Sequence, residues 1–154
     1  MAKIMGRIGA CMGLFIVLAW AALLLGYYGK VQWQKLQAER NTAHFLKAVQ
    51  LERYDDAVSL FGEPLRRESL QALQPLRLVE YSRIKAVFDD GCVCGGHAKL
   101  TFQADGPAVT VDAVFSLGEG LKSGQICAGI TNEQRLAIPQ LGDWNKAICG
   151  SDSF

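Results

Sequence analysis

The spacing of apolar residues changes character twice along this chain. Residues Ile8 to Tyr28 read IGACMGLFIVLAWAALLLGYY, a run of 21 without one charge. Past Lys30, a partial apolar stripe recurs at helical spacing. From Ser82 onward, apolar and polar residues alternate. Each pattern predicts a different kind of element.

The first run matches a bilayer core, which needs about 20 residues at 1.5 Å rise each. Nine of its residues are Leu, Ile, Val or Phe, each contributing roughly −0.3 to −0.6 kcal/mol at mid-membrane. Trp20, Tyr27 and Tyr28 lie in its outer half and Trp33 follows it, as interfacial aromatics do. A cleaved secretory signal fits less well. Lys3 and Arg7 form a fair basic start, but the run exceeds the usual ~7–15 residues. LLLGYYGK also offers no small-x-small cleavage site, and Cys11 precedes the apolar run where a lipoprotein signal would end on it. A buried core helix of this length would find nothing to surround it in so small a chain. The expectation is a short N-terminus over 1–7, a transmembrane helix over 8–29 and a juxtamembrane helix over 30–41. Gly9 and Gly13 form a small-xxx-small pair of the kind that lets two membrane helices approach closely. Glycine is also simply frequent in such helices.

Beyond the anchor, KVQWQKLQAERNTAHFLKAVQLERY reads as helix, with Leu36, Phe45 and Val49 on its stripe. It either runs on unbroken from the membrane or restarts at Asn41 or Thr42, which can cap a helix N-terminus. YDDAVSLFG is a second helix stopped by Gly62 and Pro64. Glu68 to Leu73 is a third short piece, ended by Pro75. RIKAVF then puts Ile84, Ala86 and Phe88 on one face, HAKLTFQA does so with Leu100 and Phe102, and AVTVDAVFSL alternates most cleanly. A fourth strand is expected over Gln125 to Ile130. DDGCVCGG, ADGP and GEG separate the runs as turns do. The predicted fold class is α+β: an antiparallel meander with one apolar face, covered by the helices before it. The last segment, 131–154, reads as an irregular tail that packs on its own domain or on a partner.

The segment FLKAVQLERYDDAVSLFGEPLRRESLQALQPLR, followed by a curled meander, resembles the NTF2-like (cystatin-related) α+β superfamily. The resemblance covers residues 42–130 and rests on element order. It implies helices packed on a curved antiparallel sheet. Members of that superfamily include enzymes, small-ligand binders and interaction domains, so the fold alone does not select a function.

Charge and cysteine content narrow the setting. A net charge of +1 is no footprint for nucleic acid, which calls for a strongly basic face. Lys3 and Arg7 flank one end of the apolar run, and Lys30, Lys35 and Arg40 flank the other. Orientation therefore rests on Cys92, Cys94, Cys127 and Cys149, an even set in a small domain, which suits an oxidising compartment. The N-terminus is expected in the cytoplasm and the domain outside it. In a bacterium that means the inner membrane with a periplasmic domain. Cys92 and Cys94 are read as too close to bridge each other. Two pairings then remain open: Cys92–Cys127 with Cys94–Cys149, or Cys92–Cys149 with Cys94–Cys127. The competing reading is a metal site of Cys92, Cys94 and His97 with Cys127 or Cys149, although C-x-C-x₂-H is not a usual zinc spacing.

Other reactive side chains are scarce. His44 and His97 read as surface or packing residues. Asp89 and Asp90 belong to a turn-forming Asp-Asp-Gly, Asp112 faces solvent, and Asp55 and Asp56 suit a helix start. Arg66 and Arg67 are most simply a solvated edge. No nucleophile triad, phosphate-cradling loop or cofactor motif is present in the sequence. The leading expectation is therefore a non-catalytic, single-pass accessory subunit of a larger membrane complex, with membrane subunits and lipid as its partners, no nucleic acid and no cofactor. A second is a membrane-anchored binder of a small apolar or lipid-like ligand, held among Phe45, Phe61, Phe88, Phe102 and Phe115. A third is a filament subunit. The chain resembles a pilin in its long N-terminal apolar helix, its sheet and a possible Cys127–Cys149 loop. It lacks the processing site and the early acidic residue that a pilin carries.

Overall fold

A computed structural model describes the backbone of residues 2–150, and the side chains of 13–150 apart from Ala137. The chain divides into two compact units, Met1–Trp33 and Gln34–Phe154. Helix α1 runs unbroken over Ala2–Gln50, 49 residues. It is the one helix among the described residues that is long and apolar enough to cross a membrane. In the first unit the large apolar side chains from Leu14 to Tyr28 are each more than half exposed. A bilayer would solvate such a surface and water would not.

In the second unit α1 becomes amphipathic. Ala38, Thr42, Phe45, Leu46 and Val49 are buried, at the i, i+4, i+7, i+8 and i+11 steps of one helical face. Asn41 and Thr42 do not start a new helix. The Thr42 hydroxyl donates back to the Ala38 carbonyl at 2.8 Å, a bond available inside a continuous helix, and packing of the stripe carries the helix through. The chain then turns through α2 (Tyr54–Leu60) and α3 (Arg67–Gln71). Asp55 and Asp56 occupy the first turn of α2, at the positive end of its dipole.

Four strands follow: β1 (Arg77–Asp89), β2 (Cys92–Gln103), β3 (Val109–Leu117) and β4 (Ser123–Gly129). They form one antiparallel sheet in the order β1-β2-β3-β4, the expected meander. Its inner face is apolar. Leu100 sits opposite Val111, and Ala113 lies between Ala98 and Ala128. Phe115 sits opposite Ile126, and all of these are buried. The outer face carries Thr101 against Thr110 at 3.0 Å and Lys99 against Asp112 at 2.6 Å.

The sheet differs from the sequence expectation in two places. β1 starts at Arg77, ahead of the expected Ser82, because LRLVEY continues the same ladder. Register shifts interrupt β1 at three points, one of them between Ser82 and Lys85, where Arg83 takes φ +52°. These breaks hide its alternation. The DDGCVCGG segment is mostly strand. Only Asp90 and Gly91 turn, both at positive φ, as a tight two-residue hairpin requires. Gly96 lies inside β2, where a Cβ would collide with the Lys85 carbonyl and the Phe115 ring. Glycine in a strand here marks close approach, not a loop.

The tail is not irregular over the described residues. It folds as α4 (Asn132–Ala137), α5 (Leu141–Trp144) and a π-helical turn (Asn145–Cys149). Thr131 and Gln134 cap α4 reciprocally, a capping box that the spacing Thr131-x-x-Gln134 encodes. Leu141, Trp144 and Ile148 are buried in the domain's own core, so this segment packs on its own domain. Phe154 lies outside the described residues.

Candidate functional site

The cysteines pair as Cys92–Cys94 and Cys127–Cys149, which corrects both cross-pairings expected from sequence. Register explains why the crossed bridges cannot form. Cys94 and Cys127 lie on β2 and β4 with β3 between them, about 9.6 Å apart sideways at about 4.8 Å per strand. Cys127 is level with His97 across Val114, a further three residues or roughly 10 Å along the strand from Cys94. A disulfide spans far less. Cys92 and Cys94 meet because β2 is irregular here. A register shift falls between Val87 and Phe88, the latter opposite Val93. Their Cα atoms come within 5.4 Å, inside the bridging range and less than the roughly 6.6 Å of two extended residues.

The two bridges do different things. Cys127–Cys149 spans 22 residues, and such a closure restricts the unfolded chain by about 3 kcal/mol. It ties the helical tail to the edge strand β4, and both cysteines are buried. Cys92–Cys94 spans two residues, contributes little more than about a third as much by the same relation, and joins no separate elements. Cys94 is exposed and Cys92 half-exposed.

The proposed metal set is not brought together. Cys92, Cys94 and Cys127 are all in disulfides, and His97 is exposed on the outer face. No group of three or more His, Cys, Asp or Glu side chains among the described residues could hold a metal ion. His44 is exposed on α1. Asp89 accepts from the Asp90 amide at 3.0 Å, as a turn residue. Arg67 pairs with Asp55 at 3.1 Å between two exposed side chains, a contact worth little. Gly13 lies in α1 with open space around it. Gly9 falls outside the residues whose side chains and surroundings are described.

The free edge of β4 is closed in a way the sequence does not announce. The Asn145 side chain accepts from the Ala128 amide at 2.8 Å and donates to its carbonyl at 2.9 Å. Trp144 Nε1 donates to the Ile126 carbonyl at 3.0 Å. These side chains take the place of a fifth strand, as edge protection requires. At the entry of α1 onto the sheet, Asn41 donates to the Gly120 and Leu121 carbonyls at 3.2 and 3.0 Å. Beside it the Thr42 and Ser123 hydroxyls share a hydrogen bond at 2.8 Å. On β1, Glu39 accepts from the Ala86 amide and Gln50 donates to the Val79 carbonyl.

Within the core, the Phe45 ring lies 4.8 Å from that of Phe61, and Phe102 lies 4.9 Å from Trp144. Phe45 and Phe102 have no exposed surface. An open cleft of about 400 Å³ lies between Val49, Tyr54, Leu76, Arg77 and Trp144. Burial, and secondarily the Glu52 carboxylate, raise the Tyr54 phenol above its ordinary value. A second cleft of about 430 Å³ lies beside the tail at Glu63, Gln125 and Ile148. Glu52 and Tyr54 are among the residues lining the first cleft, and Glu63 and Ser116 among those lining the second. Comparison with protein-family models, with curated proteins and with solved structures gives no match.

Proposed function

We propose that this chain is a pilin-like accessory subunit of a larger membrane assembly, held in a bacterial inner membrane by α1 with its sheet domain in the periplasm. The observation that carries the reading is the single helix Ala2–Gln50. Its first part is apolar and exposed, and its second part lays a buried stripe under a four-stranded antiparallel sheet. A helix of this kind offers an apolar surface for side-by-side packing in a membrane, driven by close van der Waals contact. Gly13, Gly26 and Gly29 leave open space along it. The Cys127–Cys149 closure of the C-terminal segment is the further feature that a pilin-like chain shares.

The accessory reading keeps Lys3 and Arg7 on the cytoplasmic side and α1 in the membrane. The chain would engage other subunits there and not polymerise. Two paired disulfides in one small domain favour an oxidising compartment. The NTF2-like reading is retained as a proposal about ancestry of the helix-then-meander order. The ligand-binding reading is the second one: Phe45 and Phe102 have no exposed surface, while Phe61 lines the second cleft.

The test is a native purification in mild detergent through a C-terminal tag, with intact mass measured on the product. Stoichiometric membrane partners and a retained Met1 are expected. A lone species at every detergent strength would overturn the subunit reading, and a product trimmed near its N-terminus would move the chain to the filament-subunit reading.

A further inference from the structure

The Cys92–Cys94 bridge is unexplained by the fold. It joins no separate elements, spans two residues, and lies next to the tight Asp90-Gly91 hairpin. Its span is too short to restrict the unfolded chain as the Cys127–Cys149 closure does. Cys94 is exposed and Cys92 half-exposed, whereas Cys127 and Cys149 are each 6% exposed. Val93, the residue between them, is buried, so the hairpin stays anchored whether or not the sulfurs are bonded.

We propose that Cys92–Cys94 is a thiol–disulfide exchange site that a dithiol opens and closes while Cys127–Cys149 stays intact. Exchange needs in-line access of a thiolate to one sulfur, and Cys94 is the more accessible. The dithiol's thiolate attacks Sγ of Cys94, the Sγ–Sγ bond breaks, and Cys92 leaves as a thiolate that takes a proton from water. The second thiol of the dithiol then attacks its own sulfur in the mixed disulfide and releases Cys94. The dithiol ends as a disulfide, oxidised by two electrons, and the cysteine pair ends as two thiols. Run in reverse, the bridged pair is restored by an oxidised dithiol. Opening leaves the core side chains in place, because Val93, Ala98 and Leu100 hold β2 from its inner face. The site is independent of the subunit reading above, and its failure would leave that reading standing.

The test uses the full chain in detergent micelles, equilibrated against defined ratios of reduced and oxidised dithiothreitol. Free thiols are trapped by alkylation and located by peptide mass spectrometry. The expected result is half-opening of Cys92–Cys94 at a ratio at least tenfold less reducing than that needed for Cys127–Cys149. Opening of both pairs at one ratio, or of the Cys92 pair only after denaturation, would overturn the proposal, as would finding Cys92 or Cys94 linked elsewhere. Cys92→Ser and Cys94→Ser then test the point of attack. The single thiol left by Cys92→Ser should react with an aromatic disulfide at least tenfold faster than that left by Cys94→Ser. Equal rates would overturn the assignment of Cys94 as the attacked sulfur.

Discussion

The side-chain amide of Asn145 pairs with both backbone polar groups of Ala128, at 2.8 and 2.9 Å, and so completes the edge of β4 as a short strand would. Asn145 is 1% exposed. Asn145→Ala would leave a buried N–H and a buried C=O without partners, at about 1–3 kcal/mol for each such group. Thermal unfolding of the full chain in detergent should show a clear loss of stability. Asn145→Asp should not rescue it, because a carboxylate accepts from the amide but cannot donate to the carbonyl. Near-normal stability of either variant would argue against this pairing.

Opening the Cys127–Cys149 bridge should detach the tail. Cys149→Ser is expected to cost about 3 kcal/mol from the span of 22 residues. Limited proteolysis should then cut within residues 131–150 before it cuts the sheet. A cleavage pattern identical to that of the oxidised protein would show that packing of Trp144 and Ile148 suffices alone.

The Thr42–Ser123 hydrogen bond joins α1 to the start of β4 between two residues with no exposed surface. Thr42→Val keeps the shape and strands the Ser123 hydroxyl, at a cost of about 1–3 kcal/mol. The double variant Thr42→Val with Ser123→Ala should recover part of that loss, since both polar partners are then gone. A double-mutant cycle by denaturant titration checks the coupling.

Tyr54 should ionise above the ordinary range of a phenol, because burial and, secondarily, the nearby Glu52 carboxylate raise its pKa. The folded value exceeds the unfolded one. The stability linked to this group is therefore fully present below the unfolded pKa and is lost as pH rises through the folded value. An ultraviolet titration of tyrosinate in the full chain, compared with Tyr54→Phe, should show the late component disappear. An unchanged profile would place Tyr54 in solvent.

Phe45→Ala should cost about 3–5 kcal/mol, since the ring is fully buried and lies 4.8 Å from that of Phe61. Leu136→Ser, at a side chain 83% exposed, should change stability by no more than about 0.5 kcal/mol. Comparable losses at both positions, measured by denaturant unfolding, would contradict the burial described for the core.

The features legible from sequence are those set by local composition and period. The uncharged run from Ile8 to Tyr28 reads as one helix because it is long and apolar enough to cross a membrane, where backbone groups must be satisfied within the segment. Val111, Ala113 and Phe115 alternate cleanly because β3 is an interior strand with one face in the core. Asp90-Gly91 announces its hairpin because glycine and aspartate tolerate positive φ. The Thr131-x-x-Gln134 capping box was readable in the same local terms and marks a helix that the glycine and proline content of the tail obscured.

What tertiary structure alone decided is every choice between partners distant in sequence. The continuity of α1 through Asn41 and Thr42 depends on the packing of its buried stripe, while their side chains reach Gly120, Leu121 and Ser123, some 80 residues away. The pairing of the cysteines depends on β3 lying between Cys94 and Cys127. The covering of β4 by Asn145 and Trp144 depends on where the tail returns. Apolar periodicity states how much surface each element must bury, a quantity set residue by residue. Which element buries it is settled by geometry in three dimensions, where sheet register and strand separation admit one set of neighbours and exclude the rest.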